Sequence, residues 1–200
     1  MPPPSFFRSL GLFIRHDFLD PGTCARILGE MQTSVGEKAL VVRNDSQTDF
    51  LDESRRRALI VRIPKPTRAL IHDQLFALKA SLEQHFGVAL AEVEQVDFLR
   101  YLVGSFYKPH FDANVDSHPA TIQRRVSVVI FLNSRGPADD CYWGGALTFH
   151  GILPGPQWEQ CAFCLDAEPG LLVAFRSDLL HEVQPVTSGQ RFTIVSWFLA

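Results

Sequence analysis

The closing stretch of the chain runs Leu171-Leu-Val-Ala-Phe175, turns at Ser177-Asp178, and continues through Glu182-Val-Gln-Pro-Val186 and Arg191-Phe-Thr-Ile-Val-Ser-Trp-Phe198. Each run has strand length, is rich in β-branched and aromatic residues, and is set off by Gly, Pro, Ser or Asp. The same texture extends back through Cys161 to Leu165, Ala146 to Phe149, Arg125 to Leu132 and Val93 to Leu102. Many short strands with turn punctuation predict a mainly β fold, a sandwich, barrel or jelly roll rather than alternating βαβ units.

Upstream of Val93 the pattern changes. Phe6 to Phe18 reads as a strand, and Asp20-Pro21 supplies an N-cap with proline at the first helical position. Cys24, Ile27, Leu28 and Met31 then recur at helical spacing. Ala58 to Ile63 alternates as a strand, stopped by Pro64 and Pro66, and Thr67 is the expected cap of a second helix. Ile71, Leu75, Leu78, Leu82 and Phe86 form its apolar stripe, with Gly87 as its stop. The expectation is one domain over residues 1–200: residues 1–92 give two supporting helices, strands and a loop, and residues 93–200 give the β core.

Two hundred residues suit one domain. With 46% hydrophobic and 20% charged residues the chain can bury a core, and a formal net charge of −3 offers no polybasic footprint, so nucleic acid is not an expected partner. No apolar run approaches the ~20 residues that span a bilayer. The N-terminus carries no long apolar segment with a cleavage site, so a cytoplasmic location is the expectation. Four cysteines are too sparse for a disulfide scaffold, and Cys161-x-x-Cys164, without a second pair, reads as incidental.

The chemistry concentrates in the β half. In an extended strand positions i and i+2 share a side, so His110-Phe-Asp112 is expected to bring an imidazole and a carboxylate together. One histidine from a distant strand would complete a two-histidine, one-carboxylate triad that leaves positions open on iron. His181, between the apolar run and the next strand, is that candidate. Arg191 opens the last strand on the same face as Thr193, Val195 and Trp197. An arginine inside an apolar β core needs an anion, and its planar fork suits a carboxylate. Metal and arginine together describe a socket for a dicarboxylate that chelates at one end and pairs with the guanidinium at the other.

The order of motifs carries a resemblance. Tyr101-Leu-Val-Gly104 with Tyr107-Lys-Pro-His110-Phe-Asp112 follows a Y-x-x-G…Y-x-x-H-x-D pattern, and Arg124-Arg-Val-Ser127 up to Phe131-Leu-Asn133 follows R-x-x-T…Y-L-N. Gly144-Gly145 leads into Thr148-Phe149, and Pro169-Gly170 into His181, Pro185, Gly189 and Arg191. In these segments, about half the chain, the sequence resembles the iron(II) and 2-oxoglutarate dependent oxygenases, the prolyl hydroxylases in particular. Arg43-Asn-Asp45 before Phe50 is similar to a substrate-loop signature of the hypoxia-type branch.

That resemblance implies a double-stranded β-helix, with iron held by His110, Asp112 and His181 and Arg191 on the 5-carboxylate of 2-oxoglutarate. Tyr101 would lie beside the cosubstrate, Tyr107 and Trp197 would line the pocket near iron, and the loop around Arg43 and Asp45 would approach substrate. Phe131 departs from the pattern, since many relatives carry tyrosine there, and Ser127 or Thr193 are the candidates to replace its hydroxyl. The implied activity is hydroxylation of a prolyl residue in a peptide or protein, using Fe(II), 2-oxoglutarate and O2, with ascorbate as an accessory reductant and release of succinate and CO2. Hydroxylation of a free amino acid or a natural-product small molecule is the alternative, and a non-catalytic binding module on the same scaffold is the rival from another class. Glu182 and Gln184 are candidate supports of His181. His16, His72, His85, His118 and His150 read as surface or structural, Trp143 as a turn residue, and Arg55-Arg56-Arg57 as a solvated patch.

Overall fold

The structure, a computed structural model, describes residues 4–40, 51–113, 121–153, 155, 157 and 161–200. Two sheets face each other in a double-stranded β-helix. Numbered along the chain, the larger sheet has the order β1 (Leu12–Arg15), β11 (Leu172–Arg176), β7 (Arg124–Phe131), β14 (Arg191–Leu199), β5 (Asp97–Tyr101), β4 (Leu59–Val61) and β2 (Gly36–Lys38). The smaller runs β10 (Ala162–Leu165), β9 (Leu147–His150), β12 (His181–Val183), β6 (Phe106–His110) and β3 (Arg56–Arg57). A two-stranded ribbon of β13 (Val186–Gly189) and β8 (Tyr142–Gly144) closes one end. The paired strands of these sheets are antiparallel, so each can give one face to a helix layer and the other to the barrel interior.

Strand alternation assigns the faces. On β7, Val126, Val128 and Ile130 pack outward with Phe192, Ile194 and Phe198 of β14 against Ile27 and Met31 of α2 (Pro21–Thr33) and Ile71 and Leu75 of α3 (Lys65–Phe86). The intervening residues, Ser127, Val129 and Phe131 on β7 and Arg191, Thr193, Val195 and Trp197 on β14, face the interior. The functional side chains therefore occupy the face opposite the helix-backed core.

Local chemistry explains the helices. The Asp20 side chain accepts from the Thr23 amide at 2.9 Å, capping α2 behind Pro21. Gly87, at φ 66°, ends α3, and its amide donates to the Glu83 carbonyl at 2.9 Å.

Four expectations need correction. Only Leu12–Arg15 of the Phe6 to Phe18 stretch is a strand. The residues before it form a short helix, α1 (Pro4–Ser9), which sets Phe6 and Phe7 edge-on to Phe163. Among the described residues there are thus three α-helices rather than two. Thr67 caps nothing: Pro64 holds the cap position, and Thr67, the third residue of α3, is buried and hydrogen-bonded to Glu30 (3.1 Å) and Arg26 (3.0 Å) of α2. The arginine run is not a plain solvated patch. Arg56 and Arg57 form β3 against β6, with their guanidinium groups over the Tyr107 and Phe106 rings at 4.8 and 5.6 Å.

Candidate metal centre

The β6 and β12 strands set His110 and His181 directly opposite each other, with ring centroids 4.2 Å apart. Each ring is oriented by its own backbone. The Nδ1–H of His110 donates to the Lys108 carbonyl at 2.8 Å, and that of His181 to the Leu179 carbonyl at 2.9 Å. Those bonds leave both Nε2 lone pairs facing Asp112, at 3.6 Å from Oδ1 and 3.7 Å from Oδ2. One ligand atom from each of the three residues lies within 4.8 Å of the others.

His110 is the last residue of β6, so strand alternation alone does not place Asp112. The chain bends after Phe111, and the amides of Asp112 and Ala113 both bond the Ser177 carbonyl, at 3.0 and 2.9 Å. The Ser127 hydroxyl sits 3.0 Å from the Ser177 hydroxyl and close enough to Asp112 to help hold its carboxyl down. Ser177 thus fastens the carboxylate in place. In the sequence it marks only a turn, and a lone serine in Arg176-Ser-Asp178 carries no signal for that role.

The electrostatics favour a cation. Burial pushes Asp112 up, but its attraction to His181 and His110, with the Ser127 hydrogen bond, outweighs that and holds the carboxyl well below the usual range. Burial, aided by neighbouring His110, pushes His181 down to about 4. At neutral pH the cluster is a carboxylate with a neutral imidazole, the protonation states that ligate metals. Phe175 closes one wall edge-on to His181 at 4.7 Å. Tyr107 stacks on His110 at 3.5 Å with 15° between planes.

Arg191 is 1% exposed. Its Nη1 donates to Thr193 Oγ1 at 3.2 Å, and Cζ lies 5.0 Å from the Tyr101 ring and 5.3 Å from Phe131. Thr193 lies further along β14 in the direction of Trp197, whose backbone pairs with Ser127. No carboxylate pairs with it among the described residues, and its Nε has no hydrogen-bond partner there.

A family model described as the 2OG-Fe(II) oxygenase superfamily matches residues 96–199, just over half of the chain. The chain belongs to that superfamily. Among curated proteins it is 35% identical over 124 residues to a PKHD-type hydroxylase of Psychrobacter, spanning 58% of this chain and 44% of that one. It is 26% identical to a PKHD-type hydroxylase of Crocosphaera subtropica over 83% of this chain and 64% of the other. The match therefore spans 44% to 64% of the length of these two curated relatives. Of solved structures, a Pseudomonas putida prolyl-4-hydroxylase superposes with a TM-score of 0.72 at 21% identity, over 98% of this chain and 95% of that one. A Trichoplax adhaerens prolyl hydroxylase, solved with a hypoxia inducible factor peptide fragment, gives 0.71 at 21% over 98% and 86%. Both share the fold.

The 2OG-Fe(II) oxygenases use Fe(II), 2-oxoglutarate and O2, and the residues present fit those groups. Two imidazoles and one carboxylate converge with ligating lone pairs free, and a buried guanidinium in the same interior has an unpartnered N–H. Tyr101 and Thr193 stand beside that guanidinium. Ser127 lies against Asp112 instead, and Trp197 borders it while carrying Arg124 on its indole face at 3.7 Å. Arg43, Asp45 and His118 lie outside the described residues. Among the described residues Glu182 turns to His150, at 3.2 Å, rather than to His181, and Gln184 reaches toward Cys164. Cys161 and Cys164 are both free thiols, and Trp143 is 47% exposed on β8. No helix among the described residues is long and apolar enough to cross a membrane.

Proposed function

We propose that the protein is an Fe(II)- and 2-oxoglutarate-dependent dioxygenase in which His110, Asp112 and His181 hold the metal and Arg191 holds the distal carboxylate of the cosubstrate. The observation that carries the reading is the pairing of a convergent His-Asp-His cluster with a buried, unpaired guanidinium in one β-helix interior. Residues 1–200 act as one domain, with 93–200 as the catalytic core and the preceding residues as support.

Bound together with O2, the ferrous ion and 2-oxoglutarate supply oxidising power for hydroxylating an unactivated C–H bond, with release of succinate and CO2. The chain's own residues do the rest. The Lys108 and Leu179 carbonyls hold both imidazoles in the Nδ1–H tautomer, and the amides after Phe111 pin Asp112 through Ser177, so the ligand set needs little rearrangement to close on a metal. Arg191 and Thr193 orient a diacid along β14, and the Phe149 and Phe175 rings keep bulk water from the opposite wall.

The substrate is a prolyl residue in a peptide or protein. In support, the Trichoplax protein of the same fold was solved with a peptide fragment, and prolyl hydroxylases recur among the solved structures of this fold. Anaerobic addition of Fe(II) and 2-oxoglutarate tests the reading. A weak visible charge-transfer band, followed by succinate release in air with proline-containing peptides, is expected. Absence of both favours a binding module, and succinate formed only with small molecules moves the substrate to free amino acids or natural products.

A further inference from the structure

The interior holds one phenol that the oxygenase reading leaves unused. Tyr142, on β8, is 1% exposed, and its hydroxyl is buried with no hydrogen-bond partner among the described residues. An unpaired buried hydroxyl is costly to a folded chain, so a ligand that satisfies it is the economical explanation. The same holds for Arg191 Nε. The two are neighbours: burial raises the Tyr142 pKa while the Arg191 guanidinium, through its charge and an N–H close to the phenol oxygen, pulls it down, and the phenol O–H itself finds no acceptor among the described residues.

The backbone makes room for this pairing. Gly145 sits at φ 59°, and a Cβ there would come within 3.0 Å of Arg191 Cδ and 3.2 Å of Tyr142 Cε2. Tyr142 also packs in the cluster that contains Phe131. Phe131 stands where the Y-L-N pattern has tyrosine, and its ring lies 5.3 Å from the guanidinium carbon. A phenol is thus absent from β7 and present on β8, against the same arginine.

We propose that the Tyr142 hydroxyl donates a hydrogen bond to the distal carboxylate of 2-oxoglutarate, replacing from the β8 ribbon the hydroxyl that Phe131 cannot supply. The claim rests on the oxygenase reading above and deepens it. It makes Tyr142 a cosubstrate-binding residue, and it assigns Ser127 to the carboxylate ligand rather than to 2-oxoglutarate.

The test is calorimetric titration of the Mn(II)-loaded protein with 2-oxoglutarate and with 2-oxobutyrate, which keeps the chelating end and lacks the distal carboxylate. Tyr142→Phe is expected to weaken 2-oxoglutarate about tenfold or more, the loss of one hydrogen bond to a charged group, and to leave 2-oxobutyrate unchanged. It is also expected to melt no lower than the parent without cosubstrate, since it removes an unsatisfied hydroxyl. The double variant Phe131→Tyr with Tyr142→Phe should recover affinity. Equal weakening of both keto acids, or parental 2-oxoglutarate affinity in Tyr142→Phe while Arg191→Ala loses it, overturns the proposal and leaves the oxygenase reading standing. Parent protein that binds neither keto acid overturns that reading itself.

Discussion

His110 and His181 pair across the β6–β12 ladder, and each locks its own ring by bonding the carbonyl two residues before it. The orientation of the ligand set is thus built from local backbone, and its third member, Asp112, has its amide held from a distance by the Ser177 carbonyl, the Ser177 hydroxyl in turn bonding that of Ser127. His110→Ala or His181→Ala should abolish Fe(II) binding. Ser127→Ala should keep the metal but weaken it by about 10- to 100-fold, the usual effect of removing a group that hydrogen-bonds a ligand. Metal titrations followed by calorimetry check both, and a Ser127→Ala protein with parental affinity would show that the hydroxyl does not orient the carboxylate.

Arg191 predicts opposite effects on binding and stability. A buried cation without a counter-ion among the described residues opposes folding, so Arg191→Met, which keeps much of the volume, should raise the stability of the cosubstrate-free protein by about 1 to 4 kcal/mol. The same change should remove 2-oxoglutarate binding and leave metal affinity intact. Urea unfolding alongside keto-acid titration separates the two. A destabilised Arg191→Met would mean that the guanidinium is satisfied without its ligand.

Much of this was legible in the sequence, because it depended on periodicity. The β14 run is long enough for positions to be counted by twos, so the burial of Arg191 and its contact with Thr193 followed from counting along one strand. The apolar faces of α2 and α3 followed from helical spacing. Strand β6 was hidden because Lys108-Pro109 does not read as a strand, and its pairing with β12 is irregular between His181 and Val183. Ser177 and Tyr142 were out of reach for another reason. Their roles arise from tertiary neighbours far along the chain, and Trp143 beside the glycines drew notice while the buried residue was the one before it.

Gly145 should tolerate no side chain. Its positive φ is strained for any L residue, and a methyl group there would press on Arg191, Val186 and Tyr142 together. Gly145→Ala is expected to cost about 1 to 3 kcal/mol of stability and to weaken 2-oxoglutarate, whereas metal affinity, set at the other end of the interior, should hold. Thermal melts and separate metal and keto-acid titrations read these out. Unchanged cosubstrate affinity would show that the glycine serves only the turn.

The metal-free protein should lose stability as the solution is acidified, beginning well above the carboxylate range. His181 has a folded pKa pushed down to about 4, below its ordinary value of 6.5, chiefly by burial. Protons therefore favour the unfolded chain between those two values: the contribution is fully present above about pH 6.5 and lost as pH falls toward 4. The span corresponds to about 3 kcal/mol. Asp112, held below its usual range, adds a loss in the same direction only at lower pH. Chelator-treated protein unfolded in urea from pH 8 to pH 4 should show this decline, and His181→Gln, which cannot titrate, should flatten it. An identical slope in the variant would mean that the imidazole is protonated, or reached by water, in the folded protein, and the neutral ligand state argued for the site would fail with it.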